Sequence, residues 1–211
     1  MQFDKLVKDY SPTHPIKGII HIGAHLCEEH EVYNLSGLKK QIWIEGNPRL
    51  HEENARRFNG NEDVKVFNEV IADTEKEIKL FISNASMSSS ILPLKEHRNQ
   101  FPGIIYIGEH VTKSKRFDTM AKEQDINMDE YNFLNIDIQG AELLALKSFG
   151  ELISNIDYIF TEINTIEMYE GCVIIEELDD YLLQKGFERK ETAMYELGGW
   201  GDALYLRIKK S

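Results

Sequence analysis

The sequence contains only two cysteines, Cys27 and Cys172, which lie far apart in the chain. This spacing excludes the framework of a small disulfide-rich domain and favours a reducing compartment. Long apolar runs are also missing: none approaches the ~20 residues that span a bilayer, and the N-terminal residues lack the apolar core of a signal peptide. We therefore expect a cytoplasmic protein that does not insert into membranes.

Positive charge is scarce, since 24 Lys and Arg residues stand against 36 Asp and Glu residues and leave a formal net charge of -12. Nucleic acid and anionic membrane surfaces repel an acidic protein, so neither is expected as a partner. A neutral or cationic ligand fits better. Hydrophobic residues make up 42% of the 211 positions, which suits one domain, residues 1–211, with one sizeable core.

Short apolar runs and amphipathic stretches alternate along the chain. This alternation predicts a doubly wound α/β sheet with right-handed crossovers, closed by an antiparallel hairpin with the link 197–202. The predicted strands are residues 18–23, 41–45, 64–73, 77–83, 133–137, 156–164, 187–195 and 203–208. The predicted helices are residues 28–38, a helix after Pro48, a short helix after Asp118, a helix between Gly140 and Gly150, and residues 173–185.

Two segments lie outside this alternation. Apolar residues at 3, 6, 7 and 10 predict a short helix in an N-terminal arm, residues 1–16, which Pro12 and Pro15 end. Residues 84–115 form a long insert whose structure the pattern leaves open, apart from a strand near 104–107. Loops of this length in a compact domain are often functional, so the insert is the expected wall of a substrate pocket.

The chain is organised around residues 133–142, Phe-Leu-Asn-Ile-Asp-Ile-Gln-Gly-Ala-Glu. The pattern predicts a buried strand that ends at Asp137, a turn at Gly140, and a helix after it. Ligands of open parallel sheets bind outside the carboxyl ends of the strands, so Asp137 is expected to face a site. The alternative is that Asp137 only caps the next helix.

The first two predicted strands carry a second signal. The first closes on Gly23, and the second ends in Glu45, 22 positions later. A carboxylate at this offset can accept hydrogen bonds from both hydroxyls of a ribose. The alternative is a solvated glutamate at the end of a strand.

These motifs, in this order, resemble the FkbM family of S-adenosylmethionine-dependent O-methyltransferases over about residues 19–207. The matching segments are His-Ile-Gly-Ala-His at 21–25, Glu-Gly-Asn-Pro at 45–48, Asp-Ile-Gln-Gly-Ala-Glu at 137–142, Glu162, Gly-Phe at 186–187 and Gly-Trp-Gly-Asp-Ala-Leu-Tyr at 199–205. The resemblance implies the class I methyltransferase fold, which is Rossmann-like. Its mostly parallel sheet has seven strands in the order 3-2-1-4-5-7-6, with strand 7 antiparallel.

By the same resemblance, S-adenosylmethionine lies across the ends of the first and fourth strands of that sheet. Residues 23–27 approach its methionine part, Glu45 binds the ribose, residues 68–70 border the adenine, and Asp137 lies beside the sulfonium and the acceptor. The implied cofactor-binding residues are Gly23, Ala24, His25, Glu28, Glu45, Asn47, Asn68, Val70, Asp137 and Gln139.

The implied reaction is methyl transfer to a hydroxyl. Because an alcohol is a poor nucleophile at neutral pH, this reaction needs a general base or a metal ion. Asp137 is the expected base, with Glu162 as its partner. In a second scheme, Asp137, Glu162 and Asn164 hold a divalent ion, Mg²⁺ or Mn²⁺.

The resemblance also implies a sugar acceptor, such as a deoxyhexose of a glycan or glycolipid. Ser90, His97 and Trp200 are the expected substrate-binding residues; the alternative for Trp200 is that it only packs the hairpin. An acceptor of this kind would fit an enzyme that is fused to glycosyltransferases or works with them. The sequence indicates no oligomeric state.

Two residues depart from the family pattern: His21 replaces an acidic residue on the first strand, and Cys27 replaces a loop glycine. We expect His21 to be a core residue. The departures motivate one alternative, a non-catalytic relative that binds the cofactor or a partner. The other alternative is a nicotinamide-dependent oxidoreductase, but the glycines of its phosphate loop are missing, and Glu28 and Glu29 would repel a pyrophosphate at a helix start.

Overall fold

The computed structural model describes residues 3–12 and 15–208. Its helices are α1 (Phe3–Tyr10), α2 (His30–Leu35), α3 (Pro48–Arg57), α4 (Glu96–Gln100), α5 (Phe117–Glu123), α6 (Glu142–Ser148) and α7 (Ile175–Gln184). Its strands are β1 (Ile19–Ile22), β2 (Gln41–Ile44), β3 (Val64–Phe67), β4 (Val70–Ile71), β5 (Glu77–Ser83), β6 (Tyr106–Lys115), β7 (Phe133–Ile136), β8 (Tyr158–Asn164), β9 (Phe187–Met194) and β10 (Trp200–Arg207).

Helix α1 confirms the helix expected in the N-terminal arm. Residues 1, 2, 13 and 14 of that arm lie outside the described residues. Within the described ranges, no helix is both long enough and apolar enough to cross a membrane.

The main sheet has seven strands in the order β3-β2-β1-β7-β8-β10-β9. All pairs from β3 to β8 are parallel, and β10 runs antiparallel to both β8 and β9. Numbered within this sheet alone, the order is 3-2-1-4-5-7-6, as the resemblance implied. The doubly wound α/β fold with its closing antiparallel hairpin is therefore confirmed.

Alternating side chains on the central strands build a core on each face of the sheet. Ile20 and Ile136 pack with residues of α5, α6 and α7, whereas Ile19 and Phe133 pack with residues of α1 and α2. Every residue of β1, β2 and β7 is buried. Continuous burial is typical of a parallel sheet covered on both faces, and it explains why these strands could be predicted as unbroken apolar runs.

The region that contains the insert differs from expectation. The single strand predicted for residues 64–73 is wrong, because β3 ends at Phe67 and β4 belongs to a second sheet in the order β4-β6-β5. The strand expected near residues 104–107 is the ten-residue β6, which pairs antiparallel with β5. The pattern missed its length because its apolar residues Ile107 and Val111 are 65% and 50% exposed.

Two further boundaries bear on the site. Helix α2 begins at His30 rather than near residue 28, because the preceding loop contains two residues with positive φ, His25 at 44° and Cys27 at 55°. Strand β10 begins at Trp200, inside the predicted link, because Trp200 pairs with Asn164 of β8.

Candidate active site

The carboxyl ends of β1, β2, β7 and β8 meet at one edge of the main sheet, where two neighbouring cavities open. The strand-end cavity has a volume of about 590 Å³ and is bounded by Gly23, Glu45 and Val70, among others. The insert cavity has a volume of about 870 Å³, and its walls include His97 and Trp200. Both volumes include the open mouth of the cavity.

Asp137 lines both cavities. It does not cap α6, whose N-cap residue is Ala141, so the capping alternative is wrong. The side-chain amide of Gln139 donates to Asp137 Oδ1 at 2.7 Å and to Glu162 Oε2 at 2.9 Å. The Tyr169 hydroxyl donates to Gln139 Oε1 at 2.6 Å and fixes the orientation of that amide. One amide therefore holds both predicted catalytic carboxylates.

The carboxyl groups of this site have raised pKa values. Surrounding protein desolvates the Asp137 carboxylate although it faces the open cavities, and this raises its pKa; the charge of Asp202 adds to the effect. Burial, followed by the charges of Asp137 and Glu142, raises the pKa of Glu162 well above its usual range. Burial also raises the pKa of Glu142 to about 7. The cluster favours either a proton or a bound cation.

Glu142 holds the turn that follows Asp137, a role that sequence reasoning missed. Its Oε1 accepts hydrogen bonds from the backbone N–H groups of Ile138 at 3.1 Å and Gly140 at 3.0 Å. Gly140 has φ +98°, and a Cβ there would lie 2.9 Å from the Cβ of Cys172, so the turn requires glycine. The available signal was an acidic residue in the first turn of a helix just after a glycine.

Gly23 allows the ends of β1 and β7 to touch. Its φ is +88°, and a Cβ at this position would lie only 1.8 Å from the carbonyl oxygen of Asp137. No other residue fits without moving one of the strand ends. Gly23 thereby places the first loop directly beside Asp137.

Glu45 holds the first loop through its carboxylate. Its Oε2 accepts the His25 N–H at 2.8 Å, and its Oε1 accepts the Asn47 N–H at 2.7 Å. Burial raises the pKa of Glu45, and these two hydrogen bonds oppose that rise. A carboxylate has about four lone-pair sites, so Glu45 keeps capacity to accept ligand hydroxyls in the strand-end cavity. It is 9% exposed, which excludes the freely solvated alternative.

His25 lines the strand-end cavity and connects the first loop to the insert. Its Nδ1 lies 2.6 Å from Glu28 Oε1, and its Nε2 lies 2.7 Å from Ser86 Oγ. Glu28 itself is exposed, and Ala24 is buried; neither belongs to the cavity lining. These two candidates shape the loop.

Of the three remaining cofactor-binding candidates, only one lines the strand-end cavity. Val70 lines the strand-end cavity, but Asn68 and Asn47 do not. The Asn68 amide donates to the Glu45 carbonyl at 2.7 Å, and the Asn47 side chain caps α3 by accepting a backbone N–H. Both asparagines support the strand end that carries Glu45.

The three predicted substrate-binding residues do not line the same cavity. His97 and Trp200 line the insert cavity, where the indole of Trp200 stacks on Tyr195 with ring centroids 3.9 Å apart. Ser90 instead borders the strand-end cavity, and its hydroxyl donates to the Gln139 carbonyl at 2.7 Å. Ser88 is the neighbouring serine that lines the insert cavity.

The two departures from the family pattern have local explanations. Burial lowers the pKa of His21 to about 3, and its Nδ1 lies 3.1 Å from the Tyr33 hydroxyl, so it is the neutral core residue that we expected. Cys27 is buried and has φ 55°. That conformation favours glycine, which accounts for the residue usual in relatives at this position.

Comparison with known families finds a match over residues 21–189 to the methyltransferase FkbM domain. The chain belongs to the FkbM methyltransferase family. One curated protein that it resembles is 2-O-methyltransferase NoeI of Sinorhizobium fredii (strain NBRC 101917 / NGR234). The two are 24% identical over 179 residues, which cover 81% of this chain and 71% of NoeI.

Solved structures show the same fold. TrmK of M. capricolum, in complex with S-adenosylhomocysteine, superposes with a TM-score of 0.54 at 9% identity and covers 100% of this FkbM chain and 70% of TrmK. The ribosomal protein L11 methylase of Lactobacillus delbrueckii subsp. bulgaricus has a TM-score of 0.52 at 10% identity, with 98% and 77% coverage. These likenesses establish the class I methyltransferase fold.

Family and fold together support methyltransferase activity with S-adenosylmethionine as the methyl donor. Neither the oxidoreductase nor the non-catalytic relative is favoured by these comparisons. An assay for turnover of labelled S-adenosylmethionine, in place of binding alone, separates an active FkbM enzyme from a non-catalytic one.

The suggested metal ligands fit a metal poorly. Within the described residues, no three His, Cys, Asp or Glu side chains gather in a way that could hold a metal ion. In the set Asp137, Glu162 and Asn164, the Gln139 amide already bonds to both carboxylates. Because its N–H donors lie where a shared cation would bind, a metal would have to displace Gln139.

Proposed function

We propose that this FkbM methyltransferase transfers a methyl group from S-adenosylmethionine to a sugar hydroxyl, with Asp137 as general base and Glu162 as its partner. The observation that carries the proposal is the position of Asp137 between the two cavities. Among the described residues, it is the one carboxylate that lines both. A base at such a junction can take a proton from an acceptor held beside a methyl donor.

The strand-end cavity suits S-adenosylmethionine. Val70 and Leu80 offer apolar contacts to an adenine, and Glu45 offers acceptor capacity to ribose hydroxyls. The cofactor carries no phosphate and has a positive sulfonium, so the carboxylates of the site attract it. When bound, it supplies the methyl group and leaves as the neutral thioether S-adenosylhomocysteine.

The chain's own residues manage the acceptor proton. As the acceptor oxygen bonds to the methyl carbon, the carbon–sulfur bond breaks and sulfur keeps the electron pair, so the hydroxyl proton must leave. Gln139 occupies Asp137 Oδ1, and the proton passes to Oδ2. The raised pKa of Asp137 improves it as a base, because a general base works best when its pKa approaches the working pH.

Two observations support an oxygen acceptor on a sugar. The name of the relative NoeI specifies 2-O-methyl transfer for that protein. The insert cavity has the aromatic rings of Tyr169, Tyr195 and Trp200 beside polar groups. A sugar ring has an apolar face and a polar edge of hydroxyl groups, so it suits a cavity that combines aromatic and polar side chains. If the acceptor is a glycan or glycolipid, the enzyme works together with the glycosyltransferases that build it.

The test is transfer of labelled methyl from S-adenosylmethionine to a panel of glycosides, followed by mass spectrometry and alkali treatment of the product. We expect an alkali-stable O-methyl ether on the sugar. A labelled product that is an ester or an N-methyl compound contradicts the proposal. Addition of EDTA, with restoration by Mg²⁺ or Mn²⁺, separates the metal scheme from the direct base; we expect EDTA to have no effect.

A further inference from the structure

Four buried polar atoms on α4, β8 and β10 have no hydrogen-bond partner among the described residues. They are His97 Nδ1, Gln100 Oε1, Asn164 Oδ1 and Trp200 Nε1. The side chains of His97 and Asn164 are only 6% and 1% exposed. Buried polar atoms are almost always paired, because an unpaired one carries the full cost of desolvation. Two of these atoms, on His97 and Trp200, belong to residues that line the insert cavity, and both are available to a ligand there.

These atoms come from two structural elements that face each other. His97 and Gln100 belong to α4 of the insert, and the Gln100 amide donates to the Gly198 carbonyl of the closing hairpin at 3.3 Å. Trp200 is paired with Asn164 in the antiparallel register of β10 and β8, so their side chains lie on one face. His97 and Trp200 therefore border the insert cavity from the helix and from the sheet, whereas Gln100 and Asn164 are not part of its lining.

The hydrogen-bonding capacity of the two lining atoms suits hydroxyl groups. Trp200 Nε1 can only donate, and His97 Nδ1 donates or accepts according to its tautomer. A hydroxyl both donates and accepts, so a ligand with several hydroxyls can satisfy both atoms.

The charge of the cavity points the same way. Among the described residues, no Lys or Arg lines the insert cavity, and its carboxylates are Asp137 and Glu162. A phosphate within the Debye length of ~8 Å of these carboxylates would be repelled by them, because no Lys or Arg in the described lining compensates their charge. The stacked rings of Tyr195 and Trp200 add an apolar surface.

We infer that the insert cavity takes an uncharged ring with several hydroxyls and one apolar face, and that it rejects the same ring when it carries phosphate or carboxylate. This inference rests on the proposed function and narrows its substrate class. A nucleotide-activated sugar has its diphosphate on the anomeric carbon, a few bonds from every ring hydroxyl. The reaction that supplies the acceptor is therefore a glycosyl transfer that has already released the nucleotide.

The first test compares para-nitrophenyl deoxyhexosides with the matching nucleoside diphosphate deoxyhexoses, with release of S-adenosylhomocysteine as the readout. We expect kcat/KM to be ~10²-fold or more higher for the uncharged glycoside. Equal or higher kcat/KM for the nucleotide sugar overturns this inference and leaves the proposed methyl transfer standing. Failure to methylate any sugar, with S-adenosylmethionine binding intact, overturns the proposed function and this inference with it.

The second test removes one unpartnered donor. Trp200→Phe keeps a ring against Tyr195 but loses the indole N–H, so kcat/KM for the glycoside should fall ~10-fold with unchanged affinity for S-adenosylmethionine. A deoxy acceptor that lacks the hydroxyl paired with Nε1 should lose activity in the wild type and not in the variant. Additive losses in all acceptor and enzyme pairs contradict the assigned contact.

The third test adds a positively charged side chain to the insert cavity. Ala85 lines the insert cavity, and Ala85→Lys places a positive charge there, whereas Ala85→Gln is a control of similar reach without charge. Relative to the control, we expect the Lys variant to use the nucleotide sugar ~10-fold better in comparison with the glycoside. The same ratio in both variants contradicts the electrostatic argument.

Discussion

Gln139 has a backbone conformation that few side chains adopt, with φ 57°. Such a conformation costs a non-glycine residue roughly 1–3 kcal/mol and is found most often at functional sites. The hydrogen bonds of its amide to Asp137 and Glu162 and the bond from Tyr169 offset that cost. Gln139 is thus a positioning residue for the two carboxylates.

Glu45 supports a prediction about cofactor affinity. Glu45→Ala removes the acceptor for the ribose and also frees the His25 N–H that holds the first loop. Affinity for S-adenosylmethionine, measured by calorimetry, should weaken by about 1–3 kcal/mol. Glu31→Ala, an exposed change on α2, should leave affinity unaltered. Unchanged affinity in Glu45→Ala would assign Glu45 a purely structural role.

The positions of Gly23, Glu45 and Asp137 could be predicted from sequence because each follows an apolar run directly. Their signals are local. The bridge from Gln139 to Glu162 joins residues 23 positions apart, and it depends on which strands are neighbours. The contribution of Tyr169 likewise comes from a tertiary contact that leaves no periodic signal in the sequence.

At the scale of elements, the turn between β7 and α6 is held by a titratable group, the carboxylate of Glu142 in the first turn of α6. Glu142 has its pKa raised to about 7 in the folded protein, against an ordinary value near 4.5. Between these values the native state binds more protons than the unfolded state, so this group's contribution to stability falls as pH rises. The contribution is present below about pH 5 and lost above about pH 7.

Glu142→Gln tests this sign. Its amide oxygen can still accept the two backbone hydrogen bonds, but it does not titrate. From pH 5 to pH 8, the free energy of unfolding of the wild type should fall relative to the variant by up to about 3 kcal/mol. Urea unfolding at several pH values measures the difference, with Glu31→Gln as the surface control. Parallel pH profiles for wild type and Glu142→Gln would show that Glu142 is ionised throughout.

The elements of the main sheet could be predicted because burial on both faces demands apolar residues at every position. The same rule fails for the second sheet. Strand β6 exposes Ile107 and Val111 and buries Ser114, so its pattern contradicts a simple core. The break after Phe67 was also hidden, because the Asn68 amide that bonds to the Glu45 carbonyl belongs to a contact between distant segments.

At the scale of the whole molecule, negative charge dominates, with a formal net charge of -12. Asp137, Glu142 and Glu162 concentrate part of that charge at the site, and desolvation by the surrounding protein raises the pKa of each. A bound sulfonium would stabilise their ionised forms, so binding should release protons. The affinity for a cationic ligand should then increase with pH.

S-adenosylmethionine and S-adenosylhomocysteine form a matched pair for this prediction, because only the first carries the sulfonium. From pH 5 to pH 8, the ratio of the two affinities should shift toward S-adenosylmethionine by ~10-fold. This factor corresponds to a sulfonium that lowers the pKa of one carboxyl group by about one unit. Calorimetry at each pH provides both values, and NAD should give no binding heat. A ratio independent of pH would place the sulfonium away from the carboxylates.

The central claim is that Asp137 accepts the acceptor's proton at the junction of the two cavities. Asp137→Asn keeps the shape and removes the charge, with Asp180→Asn on the exposed face of α7 as the control. Affinity for S-adenosylmethionine and the rate of labelled methyl transfer should be measured on the same preparation. We predict that, at saturating S-adenosylmethionine, the transfer rate falls by ~10²-fold or more, whereas affinity for S-adenosylmethionine falls by at most ~10-fold. Transfer near the wild-type rate in Asp137→Asn would contradict the account.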